Sequence, residues 1–155
     1  MRFDLETIAS PDQVRAALTD FTDRRLETWR RTLDPKRYEL RELGDTWAVA
    51  KEASPGSPFW VVLRYDWSEP DVVRWSVVDS SYGGGGDGAA TITPATSGGS
   101  HLDVHWSNDG PRQRALLWLL HHLPLDRLVA RMWRQALDRY ADTGGRHLGG
   151  LDPGD

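Results

Sequence analysis

The histidines are the first residues to test for chemistry, because imidazole is a common metal ligand and proton carrier. His101 and His105 share one face of a predicted strand, but four residues of strand separate them by about 13 Å. His121 and His122 are adjacent on a predicted helix and point about 100° apart. His147 is isolated near the C-terminal end of the sequence. No pair has the spacing of zinc ligands, so we predict no metal site, and the sequence indicates no cofactor.

The glycine run Gly83–Gly88 suggests a phosphate-binding loop at first sight. It lacks the Lys-Ser/Thr pair of a P-loop, and a strand-like segment, Ala89 to Pro94, follows it in place of a helix. Without a helix N-terminus there is no array of N–H groups to hold an anion. We therefore interpret the run as a flexible hairpin.

Acid–base chemistry would have to come from Tyr65, Asp79, His105 and Arg64. Tyr65 alternates with its neighbours so that it points to the predicted inner face. Asp79 points there as well, unless it lies beyond the strand end, in water. Arg64 and His105 alternate outward, although a slip of one residue would reverse both. No Ser–His–Asp arrangement can be placed, so no catalytic residue is assigned.

The element that must position any such site is the last predicted helix, Pro124 to about Ala141. Its apolar side chains recur at the i, i+3, i+4 spacing of one broad face: Leu125, Leu128, Val129, Met132, Trp133, Ala136, Leu137 and Tyr140. Pro124 suits the first turn, and Thr143-Gly144-Gly145 predicts the end. Gln135 lies near the edge of the apolar face, where it could donate a hydrogen bond to a ligand.

The rest of the chain supplies the sheet that this helix needs. Arg2 to Ile8 alternates as a strand, Ser10-Pro11 begins a helix, and a shorter helix follows over about Asp23 to Thr32. From Arg37 the apolar period changes to two, which predicts a series of hairpins. The predicted fold class is α+β, in which a curved antiparallel sheet wraps the last helix and leaves a pocket between them.

Composition limits the function classes. The 155 residues suffice for one domain, predicted over 1–142 with a poorly ordered tail over 143–155. A net charge of −4 and the lack of a basic block argue against nucleic acid. The absence of a long apolar run argues against stable membrane insertion. Cysteine is absent and the N-terminus lacks a secretory signal, so we expect a cytoplasmic monomer or homodimer.

Two features leave alternatives open. Five of the eight tryptophans lie in probable strands, where they fill the core, line a cavity for a flat or greasy ligand, or do both. The segment 112–123, which contains Trp118, is either an amphipathic helix of the core, a lid over the pocket, or a surface for a membrane or partner.

Two sets of residues form a pattern that spans most of the chain. The first set is Ile8-Ala9-Ser10-Pro11-Asp12-x-Val14, Leu18-Thr19-Asp20 and Trp29. The second is Glu69-Pro70-Asp71, Val73-Arg74-Trp75 and the glycine-rich hairpin. Together they resemble the START-like superfamily, which includes Bet v 1-type proteins, lipid-transfer domains and polyketide cyclases. The resemblance covers about Arg2 to Ala141 and implies a helix-grip fold with a hydrophobic cavity. Many members bind lipids, sterols, polyketides or hormones, and only some are enzymes.

The sequence therefore predicts binding of a small hydrophobic molecule, such as a lipid, a polyketide or another aromatic or isoprenoid metabolite. The alternatives are an enzyme of the polyketide cyclase or dehydratase type and an accessory protein that binds a partner. Two or more inward-pointing titratable groups would favour the enzyme, and a wholly apolar cavity would favour the carrier. The residues predicted to bind the ligand are Trp47, Val61, Leu63, Tyr65, Trp75, Ile92, Val104, Trp106, Leu128, Met132 and Gln135.

Overall fold

The structure is a computed structural model that describes residues 1–96, 98–107 and 125–147, with side chains to residue 144. Its helices are α1 (Pro11–Thr19), α2 (Arg24–Thr28) and α3 (Leu125–His147). Its strands are β1 (Arg2–Thr7), β2 (Glu39–Leu43), β3 (Trp47–Glu52), β4 (Val61–Asp66), β5 (Val72–Ser80), β6 (Asp87–Pro94) and β7 (Ser100–Trp106). The predicted helix over 112–123 lies outside the described residues, and the predicted domain boundary stays a prediction.

The described strands form one antiparallel sheet in the order β1-β7-β6-β5-β4-β3-β2. The ring of Trp133 on α3 lies 5.7 Å from Phe3 of β1 and 6.3 Å from Trp75 of β5, measured between ring centroids. Three strand spacings, about 14 Å, would separate β1 from β5 in a flat sheet. One side chain of α3 contacts both strands because the sheet curves around the helix, which confirms the predicted fold class.

The start of α1 follows directly from its sequence. The Ser10 hydroxyl accepts a hydrogen bond from the Gln13 amide, and the Gln13 side chain accepts one from the Ser10 amide. This reciprocal pair is a capping box, and Pro11 occupies the first helical position as predicted. Val14 and Leu18, one turn apart, then face the core.

Helix α3 is fixed to the start of the chain by one carboxylate. Asp138 accepts hydrogen bonds from the Thr7 hydroxyl at 2.6 Å and from the Ile8 amide at 3.1 Å. Ala136 and Leu137, beside it on the helix, are buried in the core. The helix continues to His147, so the predicted end near Ala141 was too early. Thr143 stays within the helix, where its hydroxyl donates to the carbonyl of Arg139 four residues earlier.

The inward-facing residues of β3 differ from the prediction. Ala48 and Ala50 face the core and are fully buried, which turns Trp47 to the outer surface. There the Arg64 guanidinium stacks on the Trp47 ring at 4.6 Å from its centroid. Hydrophobicity alone favoured tryptophan for the inner face, but the register of the strand puts the two small residues there.

Arg15 of α1 holds the turn between β4 and β5. Its guanidinium donates to the carbonyl oxygen atoms of Trp67, Glu69 and Pro70. We expect Arg15→Met to lower the free energy of unfolding by about 1–3 kcal/mol, because these carbonyls lose a charged donor. Chemical denaturation measures the change, and Arg30→Met, at an exposed arginine, is the matched control. Equal effects of the two substitutions would contradict this role.

Candidate ligand-binding cavity

A partly open cavity of about 720 Å³ lies between the sheet and α3. Its sheet wall comes from β1, the end of β3, β4, β5 and β7, and its opposite wall comes from the first half of α3. Most of the residues predicted to bind a ligand line it: Val61, Leu63, Tyr65, Trp75, Val104, Trp106, Leu128 and Met132. The loop after β3, from Ala53 to Ser57, and Thr32 and Leu33 also border it.

Three of the predicted residues do not belong to the described lining. Trp47 lies on the outer face of the sheet, in contact with the Arg64 guanidinium. Ile92 is buried in the core on β6, a strand that packs against α1. The Gln135 side-chain carbonyl is half-buried and accepts a hydrogen bond from Arg31 at 2.5 Å. The predicted inward direction is thus correct for Ile92 and wrong for Trp47.

Aromatic rings build much of the cavity wall. Trp133 packs edge-on against Trp29 at 5.0 Å, and Trp75 packs edge-on against Trp106 at 5.8 Å. The indole N–H groups of Trp75 and Trp106 are buried and have no acceptor among the described residues. Because these N–H groups do not reach open space, the rings present aromatic carbon to the cavity.

Gly88 of β6 explains how two tryptophans on the strands to either side of it come into contact. It pairs with Trp75 on one side and with Trp106 on the other. A Cβ atom at Gly88 would lie 2.4 Å from Nε1 of Trp75 and 2.6 Å from the carbonyl oxygen of His105. The absence of a side chain at Gly88 therefore permits the close ring packing. Gly88 belongs to β6, which begins at Asp87, two residues before the predicted start of this strand at Ala89.

A polar cluster of Arg25, Glu52 and Tyr65 interrupts the apolar lining. Arg25 donates through Nη2 and Nε to Oε1 of Glu52, at 2.9 and 3.2 Å, and through Nη1 to the carbonyl of Leu18 at 3.2 Å. The Tyr65 hydroxyl donates to Oε2 of Glu52 at 2.9 Å. The guanidinium carbon lies 4.1 Å from the centroid of the Phe21 ring, a cation–π contact. The three side chains form one connected and largely buried network.

The network fixes the charges of its members. Burial raises the pKa of Tyr65 well above its ordinary value, and the adjacent Glu52 carboxylate raises it further, so the phenol is neutral at pH 7. Burial alone would lower the pKa of Arg25, but Glu52 and Tyr65 outweigh it and raise the pKa overall. Arg25 therefore stays charged and is neutralised by Glu52.

The other candidates for acid–base chemistry lie away from the cavity. Asp79 is exposed and accepts a hydrogen bond from the Ser80 amide, so it is in water near the strand end. Arg64 and His105 face outward, as their alternation predicted. The described residues contain no group of three or more metal-ligating side chains.

Arg25 and Glu52 were missed by the sequence reasoning. The signal for Glu52 is the parity of β3, because residues 48, 50 and 52 share a face once the alanines are placed inside. Arg25 gives no comparable signal, since it precedes the apolar Leu26 in a short polar helix and is buried only through tertiary contacts. The predicted polar residue Tyr65 is the one part of the cluster that alternation identified.

Comparison of the fold with solved structures identifies its class. The chain has the START-like, or Bet v 1-like, helix-grip fold. It is similar to the protein TTHA0849 from Thermus thermophilus, with 14% identity, a TM-score of 0.68, and 93% of this chain and 97% of that one covered.

Two enzymes are among the similar structures. For Zhui aromatase/cyclase from Streptomyces sp. R1128 the identity is 17%, the TM-score 0.67, and the coverage 97% of this chain and 98% of that one. For norcoclaurine synthase from Thalictrum flavum the identity is 10%, the TM-score 0.64, and the coverage 90% of this chain and 83% of that one. At such identities the similarity shows the fold alone.

Sequence comparisons add no family. No protein-family model matches the chain, and no curated protein sequence matches it. In the described part of the chain, none of the helices is both long and apolar enough to span a bilayer.

Proposed function

We propose that this protein binds a small, largely hydrophobic molecule in the cavity between the sheet and α3. The observation that carries the proposal is the cavity itself, whose volume of about 720 Å³ lies within the ~300–1,000 Å³ of small-molecule sites. Its walls are mainly aromatic and aliphatic, with a few polar groups in one cluster, which is the usual composition of a ligand site. Apolar walls do not hold water strongly, so an apolar ligand displaces it readily.

The polar cluster adds orientation to this binding. A ligand that places a polar group beside Glu52 and Tyr65 leaves its apolar body against Trp75, Val104 and Trp133. The lining therefore suits a molecule that is mostly apolar and has one polar end. A wholly aliphatic ligand would form no hydrogen bond with the cluster, but it would break none of the hydrogen bonds within it.

A titration with a hydrophobic fluorescent probe tests the proposal. We expect saturable binding to the native protein with one probe per chain, because one cavity of this size supplies the site. Val104→Trp should weaken binding at least about tenfold, since the added ring occupies ligand volume. Val78→Trp, at an exposed position on β5, is the matched control and should leave binding unchanged. Unsaturable binding, or equal affinity in both variants, would contradict the proposal.

A second candidate function is an enzyme of the polyketide cyclase or dehydratase type that acts in the same cavity. The observation that favours it is the convergence of Arg25, Glu52 and Tyr65, which meets the criterion of two or more inward-pointing titratable groups. A cationic guanidinium and a neutral phenol are groups that stabilise a developing oxyanion, and a carboxylate accepts a proton. We rank binding first because these groups already satisfy one another within the protein.

A further inference from the structure

The charges of the polar cluster restrict what a ligand can place there. The Arg25 and Glu52 side chains are 6% and 15% exposed, and they form a direct ion pair at 2.9 Å. A charged ligand group beside them would lose its water and meet no unpaired opposite charge, which is costly. Arg31 and Met1, whose N-terminal ammonium donates to the carbonyl of Trp106, also line the cavity, but both are exposed and remain in contact with water. A neutral group therefore fits the cluster best.

The directions of the hydrogen bonds restrict the ligand further. A tyrosine has one O–H donor, and that of Tyr65 is committed to Glu52. Three of the five N–H donors of Arg25 are committed to Glu52 and to the Leu18 carbonyl, and Arg25 is the less exposed member of the ion pair. Glu52 only accepts, and its Oε2 atom receives a single bond, from Tyr65. The most accessible hydrogen-bonding group of the cluster that is still unused is thus an acceptor, Oε2 of Glu52.

We propose that the ligand reaches this cluster with an uncharged hydrogen-bond donor, such as the hydroxyl of a phenol or an alcohol, which donates to the Glu52 carboxylate. This inference rests on the proposed function and deepens it. The ligand class is then a hydroxylated, mainly apolar and aromatic molecule. A ligand whose only polar atom is an acceptor, such as an ether oxygen, gains no hydrogen bond from Glu52.

Four naphthalene probes of nearly equal size test the inference by calorimetry at pH 7. They are naphthol, its methyl ether, the naphthalene carboxylate and the aminomethyl naphthalene cation. We expect naphthol to bind about tenfold or more tightly than the methyl ether, because a hydrogen bond to a charged acceptor is among the stronger kinds. Both charged probes should bind more weakly than naphthol, since neither finds an unpaired counter-charge at the cluster.

A variant links this preference to the cluster. Arg25→Met, Glu52→Leu and Tyr65→Phe together remove both charges and the hydroxyl, so no buried charge is left unpaired. The ratio of the naphthol affinity to the methyl ether affinity should fall to within about twofold in this triple variant. The ratio is the readout because it is insensitive to a general change in cavity shape.

The outcomes separate the two proposals. If naphthol and its ether bind equally, or if a charged probe binds most tightly, the inference is overturned while binding in the cavity stands. A naphthol preference that survives in the triple variant would also overturn it. If none of the four probes binds the native protein, the proposed function itself fails, and the inference fails with it.

Discussion

Glu52→Ala is expected to lower the free energy of unfolding by about 3–5 kcal/mol, the typical cost of removing one partner of a buried ion pair. The Arg25 guanidinium would stay buried without its counter-charge, and the Tyr65 hydroxyl would lose its acceptor. Denaturant titration of the purified variant, followed by circular dichroism, measures the change. Where the single variant does not fold, the double variant Arg25→Met/Glu52→Leu still tests the idea, because it removes both charges together. It should be more stable than Glu52→Ala.

The exposed pair of Arg74 and Glu69 provides the control. Its N–O distance of 3.0 Å is similar to that of the buried pair, but both side chains are more than half exposed. Glu69→Ala should therefore cost less than about 1 kcal/mol. If the two alanine substitutions have the same effect, the buried network does not contribute to stability in the way described.

Leu137→Ala is expected to lower the free energy of unfolding by about 2–5 kcal/mol, because it opens a void in the core where α3 meets the rest of the protein. Leu137 is 0% exposed, and the Asp138 carboxylate beside it holds the helix to Thr7 and Ile8. The surrounding backbone thus has little freedom to close the void. Thermal or chemical denaturation gives the change directly.

Leu128→Ala is the matched control on the same helix. Leu128 is 52% exposed, so the same truncation should change the free energy of unfolding by only about 0.5 kcal/mol. Met132 borders the cavity and is only partly buried, so Met132→Asp should be tolerated better than a charge at Leu137. A larger effect at Leu128 than at Leu137 would show that α3 packs by a different face.

Periodicity made most of the fold predictable. The apolar face of α3 and the alternation of β4 and β7 each specify which side chains face inward, and these predictions are confirmed at Leu63, Tyr65 and Val104. The start of α1 was predictable because capping is local chemistry that Ser10 and Pro11 determine. The end of α3 was not, because two glycines signal a stop that the helix passes.

The polar part of the site was harder to predict, for physical reasons. On β3, burial depends on which neighbours leave space, and here the small Ala48 and Ala50 face the core while Trp47 stacks under Arg64 on the outside. Arg25 is buried because Glu52 compensates its charge across 27 positions of sequence. Pairing at such separation depends on the tertiary fold, and propensity and periodicity in one sequence do not report it.

The most direct test of ligand binding in the cavity is a crystal structure of the protein grown with naphthol. We expect naphthol between the sheet and α3, with its ring against Leu63, Val104 and Trp133 and its hydroxyl within hydrogen-bond distance of Glu52. Naphthol found only on the outer surface, with the space between sheet and helix filled by the tryptophan side chains, would contradict this expectation.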